Sequence, residues 1–501
     1  MVLNVLSRIE SLRSRNAKNT GAINNDLFRL LCSKDLLTIS YNKIKSKPSN
    51  MIPGTDGGTL DRFSEDLINK IIRKMKNHFF KFNPVRRKYI SKRNTGKTRF
   101  LGSSSLRDTV VEQAMLFILD AIYEPIFSEN SHGFRRVQSC KTSIKEVRYS
   151  WSRVTWVIEG NIKGCYDNID HHILIDILKL KITDERFLGL LWKLLRAGMV
   201  EDGITVQSFV GAPQGGILSP LLANIYLNNL DNFVQKLITE TTSVKLRQPN
   251  PNYETIQGKI YRFKTLRENT QVRLIKPSKE KLLEIIKLKK IQKTMLSKDP
   301  FKLLSKKVLF TRYNDDWMLG IVGSRSLAID IKGKIENFLA EDLKLTLSRE
   351  KIKIICAFKG KLKYLSYYIK CERYSWNSSN PSLNKRIVGR QPRIFVPMDS
   401  IMHRLSDQNF CTKLGRAQRK KEWTLYPDNI IIKKYNHILR GVRNYYTLTD
   451  NFATSMNRIQ FIIKYSCAHT LANKHRTRIS KQLPKLLELG LDIRKGIQND
   501  I

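Results

Sequence analysis

The stretch VLFTRYNDDWMLGIV (308–322) restricts the fold more than any other part of the chain. Two β-rich apolar halves flank a polar NDD centre, the pattern of a hairpin with a tight turn whose tip carries the adjacent carboxylates Asp315 and Asp316. Adjacent carboxylates repel unless a cation sits beside them. A pair of hard divalent ions about 4 Å apart, as in phosphoryl-transfer sites, is one answer. Taken alone, a solvated acidic turn explains the same residues.

The chain has 501 residues, with 90 Lys and Arg against 44 Asp and Glu, a formal charge of +46. Such an excess strains a compact fold by self-repulsion unless a polyanion neutralises it, which makes nucleic acid the first partner to consider. No segment reaches the roughly 18 uncharged apolar residues of a membrane span, so no membrane is expected. The seven cysteines include no CxxC pair, and neither a disulfide framework nor a zinc site is indicated. The first 15 residues show no secretory pattern.

Along the chain, residues 1–50 read as polar and helical, with a boundary in the Gly-rich loop 51–58. RRKYISKRNTGKTRF (86–100) sets seven basic residues around a TG turn and predicts two strands offering Arg86 and Arg87 to phosphate, or else a solvated hairpin. A buried-face helix is predicted from Leu106, ending near Pro125, and a strand at 154–162. Helices follow between about 172 and 198. GAPQGGILSP (211–220) leads into a long helix to about Ile238, with Ser219 as its cap and Pro220 first inside. Residues 241–307 carry 18 Lys and Arg against five acids and read as a basic helical insertion. A helix at about 326–342 and a strand YLSYYI (364–369) complete this part. The 130 residues beyond Cys371 hold 24 Lys and Arg against nine acids, with helical periodicity after about 430.

The blocks RKYISKRNTGKTRFLG, SLRDTVVEQA, IYEPIFSENSHGFR, EGNIKGCYDNIDH, GAPQGGILSPLLANIYL, YNDD, LKLTLSREKIKI and KYLSYYI occur in this order. The series resembles the group II intron-encoded reverse transcriptases and maturases, in particular the organellar type without an HNH endonuclease. HILRGVRNYY (437–446) and YSCAHTLANKH (465–475) resemble that family's maturase, or X, domain.

The resemblance implies an α/β right-hand polymerase fold. Its parts would be an N-terminal helical extension (1–80), reverse-transcriptase fingers and palm (81–370) with the insertion, and an α-helical thumb or maturase domain (371–501). It implies Asp315 and Asp316 as Mg2+ ligands of the palm and Tyr166 beneath the sugar of an incoming nucleotide. Gln214 would line the nucleotide pocket. Arg99 and Lys97 would meet the triphosphate, and Lys351 is a candidate for protonating the leaving pyrophosphate. The other reading of Tyr166 is a core aromatic, and Lys351, the weaker candidate, reads otherwise as a surface lysine.

In the family an aspartate ends the strand before the YD element, and here that position is Asn161. An amide can ligate but brings no charge, so Mg2+ binding should be weakened. Asp167 and Asp170 lie past the strand end and should not substitute. Asn314, Ser366 and Phe100 are smaller departures, at positions where the family usually has a small or apolar residue, Gly and Pro. No paired His and Cys of an HNH module follow His475; His469 and His475 read as interior or RNA-facing residues.

The expected function is therefore protein-assisted splicing: binding of a group II intron RNA, on a polymerase scaffold with an impaired site. Active RNA-directed DNA polymerase and general RNA chaperone stand as alternatives. DNA and a second copy of the chain are further candidate partners, and an organelle is the expected location, mitochondrion before plastid. In the C-terminal domain, Arg440 and Arg443 beside Tyr445 and Tyr446 are expected to contact RNA, with thumb core as the other reading of the two rings.

Overall fold

The computed structural model describes residues 2–45, 64–91, 98–201, 204–206, 208–213, 215–242, 250–268, 271–274, 277–295, 306–348, 352–377 and 386–492. The loop 51–58 and the tip of the basic hairpin lie outside them.

Four helices open the chain: α1 (Val2–Lys18), α2 (Leu27–Leu31), α3 (Lys34–Lys45) and α4 (Glu65–Lys76). Next come β1 (Val85–Ser91), β2 (Thr98–Ser103), α5 (Leu106–Tyr123), α6 (Cys140–Ser150), β3 (Trp156–Asn161), α7 (His171–Lys179) and α8 (Glu185–Leu195). The short strands β4 (Met199–Glu201) and β5 (Ile204–Val206) precede the long α9 (Ser219–Thr241). The insertion holds α10 (Pro251–Lys264), β6 (Thr265–Glu268), β7 (Gln271–Leu274) and α11 (Lys279–Thr294). The hairpin is β8 (Lys307–Tyr313) and β9 (Asp316–Val322), followed by α12 (Arg325–Glu341) and β10 (Lys353–Cys356). Then come β11 (Leu362–Tyr364), β12 (Tyr367–Asn377), β13 (Arg386–Phe395), α13 (Met398–Asp407), α14 (Asp428–Tyr445), α15 (Phe452–Lys474) and α16 (Ile479–Glu488).

The centre is a four-stranded sheet in the order β10-β3-β9-β8, antiparallel throughout. Side chains alternate across a strand, and here both faces are covered. Ile158, Leu319 and Ile321 enter a core shared with α5, α9 and α12. Val157, Met318 and Val322 enter a second core with α6, β12 and the C-terminal helices. This double burial is why the hairpin strands are apolar on consecutive residues instead of alternating. The cross-strand pair Gly160 and Trp317 explains one glycine: a Cβ at 160 would lie 2.1 Å from the Trp317 ring.

The N-terminal helices are not a polar appendage. Leu27, Leu30, Leu31, Leu36 and Leu37 are buried in the same core as α5. β1 pairs antiparallel with β2, Arg86 opposite Ser103 and Arg87 opposite Gly102, and parallel with β4.

Three expectations need correction. YLSYYI is not one strand: Leu365 and Ser366 form a two-residue turn between β11 and β12, both at positive φ (44° and 60°). That is the backbone of a tight hairpin, which explains why a glycine would suit position 366. Ser219 does not cap α9. It is the first helical residue, Leu218 precedes it without a side-chain cap, and the Ser219 hydroxyl donates instead to the Pro213 carbonyl at 2.6 Å. The Ile217 N–H is taken by Glu112, reaching across from α5 at 2.9 Å. The insertion is helical as expected, but its helices are separated by the hairpin β6–β7.

Among the described residues no helix is long and apolar enough to cross a membrane.

Candidate functional site

The hairpin register decides the site. Tyr313 pairs with Asp316, leaving Asn314 and Asp315 as the two-residue turn, and Asn161 at the end of β3 lies directly opposite Asp316. By strand parity Asn161 and Asp316 share the sheet face that carries Val157 and Met318. Asn314 has φ of 58°, a conformation that asparagine tolerates better than most residues with a Cβ.

Five side chains, Asn161, Tyr166, Asn314, Asp315 and Asp316, are joined by hydrogen bonds. The Asn161 amide donates to Asp315 Oδ2 at 3.3 Å and to Asp316 Oδ1. The Asn314 amide donates to Asp315 Oδ1 at 2.7 Å, and its oxygen accepts from the Tyr166 hydroxyl at 2.9 Å. The structure thus brings together Asn161, Tyr166, Asp315 and Asp316, residues dispersed over 156 positions of the sequence.

Behind the turn lies a support that sequence reasoning missed. Arg312 is completely buried and holds Asp231 of α9 with two bonds of 2.7 and 2.6 Å. The same guanidinium donates to Asn224 Oδ1, Ser131 Oγ and the Asn314 carbonyl. A buried cation is tolerable only with such a full set of partners. Gly133 completes the backing: a Cβ there would sit 2.6 Å from the Asn314 nitrogen. The signal available in the sequence was a lone arginine in an otherwise apolar strand.

Other acids nearby are engaged. Asp170 caps α7 through the His172 and Ile173 N–H groups and pairs with Lys344 at 3.0 Å. Partial burial opposes ionisation, but these donors hold its carboxyl below the usual range. Glu159, two residues before Asn161, accepts from the Lys363 N–H at 3.1 Å, and burial pushes its carboxyl up. Among the described residues no cluster of three or more His, Cys, Asp or Glu could hold a metal. The carboxylates of Asp315 and Asp316 are the oxygen donors that suit a hard cation, but Asn161 turns its N–H groups toward them. The acidic pair lacks the charge that would bridge two cations, since divalent ions roughly 4 Å apart repel by on the order of 17 kcal/mol even at an effective dielectric near 20.

Gly215, at φ of 93°, abuts β2 so closely that a Cβ would fall 2.2 Å from the Gly102 carbonyl. Gly215 therefore lies against the strand that carries Arg99. Lys97, Gln214 and Lys351 lie outside the described residues, as do the side chains of Arg87 and Arg99.

In the C-terminal region, Arg440 is exposed on α14 and Arg443 makes a 3.4 Å ion pair with Asp492. Tyr446 is buried, and its hydroxyl and that of Tyr445 donate to the carbonyls of Ser366 and Leu365. Tyr445 stacks on Tyr367 at 5.2 Å. The two rings occupy a packed joint between α14 and the β11–β12 turn, the geometry of core aromatics.

Comparisons with known proteins complete the site. A family model described as reverse transcriptase (RNA-dependent DNA polymerase) matches residues 90–247, and one described as type II intron maturase matches 390–496. The chain is 33% identical over 491 residues to the group II intron-encoded protein LtrA of Lactococcus lactis subsp. cremoris, covering 95% of this chain and 79% of that one. It is 33% identical over 496 residues to the COX1/OXI3 intron 1 protein of Saccharomyces cerevisiae, covering 96% of this chain and 57% of the relative. A 91 kDa protein in the cob intron of Schizosaccharomyces pombe is also 33% identical, over 98% of this chain and 59% of its own length. The chain thus spans a little over half of these two yeast relatives.

Proposed function

The chain belongs to the family of group II intron-encoded reverse transcriptases and maturases, and from that premise we propose that it binds its intron RNA and promotes splicing, with its polymerase site impaired. The observation that carries the second half is the Asn161 amide donating to both Asp315 and Asp316. Where a third carboxylate would repel its neighbours and recruit cations, an amide satisfies them with N–H groups and adds no charge.

The scaffold reads as a right hand: the central sheet as palm, β1 and β2 with the residues around them as fingers, and the C-terminal helices as thumb. In that reading Asp315, Asp316 and Asn161 hold Mg2+, which when bound would stabilise charge on a transferring phosphoryl group. Arg99 and Lys97 face the triphosphate, Gln214 lines the pocket, and Lys351 stands near the leaving group. Tyr166 packs under the sugar.

Splicing support asks less of the palm. The formal +46 supplies phosphate attraction over the whole surface, and holding RNA in its folded form requires no metal in the protein. Arg86 and Arg440, both exposed, are proposed as RNA contacts. The relatives named for COX1 and cob introns support an organellar, mitochondrial setting.

A second reading, an active RNA-directed DNA polymerase, is favoured by the intact register: one substitution would complete the three-carboxylate set. Primer extension on an RNA template with Mg2+, set beside splicing of the intron by the same preparation, separates the two. The expected result is splicing without appreciable extension; robust extension would establish the polymerase reading.

A further inference from the structure

Asn161 accounts for two of the hydrogen bonds on the acidic pair. A third comes from Asn314, whose amide donates to Asp315 Oδ1 at 2.7 Å. Which end of that amide faces Asp315 is set elsewhere. Its oxygen accepts from the Tyr166 hydroxyl at 2.9 Å, and a phenol that donates there fixes the NH2 toward the carboxylate. Asn314 is itself nearly buried, its carbonyl is gripped by Arg312, and Gly133 backs its nitrogen, so neither rotamer nor backbone is free to drift. Both oxygens of Asp315 and one of Asp316 therefore accept amide hydrogens.

We propose that Asn314, oriented by Tyr166, is a positioning residue that holds Asp315 in a hydrogen-bonded state competing with a divalent ion, so that the palm is restrained twice, at Asn161 and at Asn314. The inference rests on the reading of Asp315 and Asp316 as metal ligands. Each amide hydrogen takes a lone pair that a cation would otherwise use and fixes the carboxylate in the position that suits the amides. Restoring the charge at 161 then removes only one of the two restraints. The Tyr166 hydroxyl has an office unrelated to nucleotide shape: it keeps the competing amide aimed.

The test is Mn2+ binding to the full-length chain without RNA, read by loss of the free-ion paramagnetic resonance signal. The variants are Asn161→Asp, Asn314→Gly, Tyr166→Phe and Asn161→Asp with Asn314→Gly. Glycine removes the amide and accepts the positive φ, so the turn is not strained by the change. Asn314→Gly is expected to tighten Mn2+ binding by roughly tenfold, the worth of one hydrogen bond to a charged group. Tyr166→Phe should tighten it by less, because the amide is released but not removed. The double variant should bind more tightly than Asn161→Asp. If Asn161→Asp tightens binding while Asn314→Gly and Tyr166→Phe leave it unchanged or weaken it, the role of Asn314 is refuted and the metal-site reading stands. If Asn161→Asp changes nothing, the metal-site reading itself fails. Near-ultraviolet circular dichroism on each variant confirms that the fold is retained; should Asn314→Gly lose it, Tyr166→Phe carries the decision alone.

Discussion

An amide at 161 alters both the charge offered to a cation and the number of N–H donors facing the acidic pair, and the two changes act in the same direction. Asn161→Asp is accordingly expected to raise Mg2+-dependent primer extension by about tenfold or more, equivalent to some 1.4 kcal/mol of barrier. Unchanged extension would show that the limitation lies elsewhere. The Arg312–Asp231 pair gives a stability prediction. Asp231→Asn leaves a completely buried guanidinium without its counter-charge and should cost about 3–5 kcal/mol in urea unfolding, whereas Arg312→Met with Asp231→Leu together should cost less than the single change. Glu112 adds a pH dependence. Burial, reinforced by Asp108, pushes its carboxyl up from 4.5 to about 7. Between those values the folded chain holds a proton that the unfolded chain has lost. Stability should therefore fall as pH rises from 4.5 to 7, by on the order of 3 kcal/mol, and level off above. Glu112→Gln should flatten that slope; an unaltered slope in chemical denaturation at several pH values would place the titration on other groups. The acidic pair was legible as the polar centre of an apolar hairpin, and Asn161 through the resemblance of its block to a family that has an aspartate there. Arg312, Asp231 and Glu112 were not legible, because their partners lie 81 and 105 residues away and only the fold brings them together.

At the scale of elements, the strongly patterned segments were readable. The hairpin strands, the helix from Leu106 and the helix from Arg325 follow from apolar spacing. Failures came where a tertiary contact outranks a local rule. Ser219 satisfies every local criterion for a cap, yet Glu112 takes the nearby N–H from another helix. YLSYYI has unbroken strand propensity, yet Leu365 and Ser366 turn the chain, and Tyr367 just past the turn then meets Tyr445 and Tyr446. That joint makes Tyr446→Ala a packing lesion, expected to cost about 3–5 kcal/mol of stability before any effect on RNA is reached. The insertion is different in kind. It has its own small core, with Ile260 and Ile285 buried, and a charge of +13 over 241–307. Deleting residues 245–300 should leave the remaining fold intact while flattening the slope of log K for RNA against log salt. Each lost phosphate contact removes about 0.9 released counterions on a duplex. An unchanged slope would assign the insertion to solvent.

In the division of labour proposed for the whole molecule, an extended basic surface holds RNA and the small acidic site is not required for that task. Neutralising the exposed Arg86 and Arg440 should then impair splicing, while Asp315 and Asp316, which offer no attraction to a polyanion, should be dispensable for it. The measurement that tests this division most directly is splicing of the bound intron in vitro at near-physiological Mg2+, comparing the unmodified chain with the variant carrying Asp315→Asn and Asp316→Asn, both verified as folded. Nearly equal splicing rates and intron affinities are expected. Loss of splicing in the folded variant would contradict this division and return the acidic pair to the centre of the protein's function.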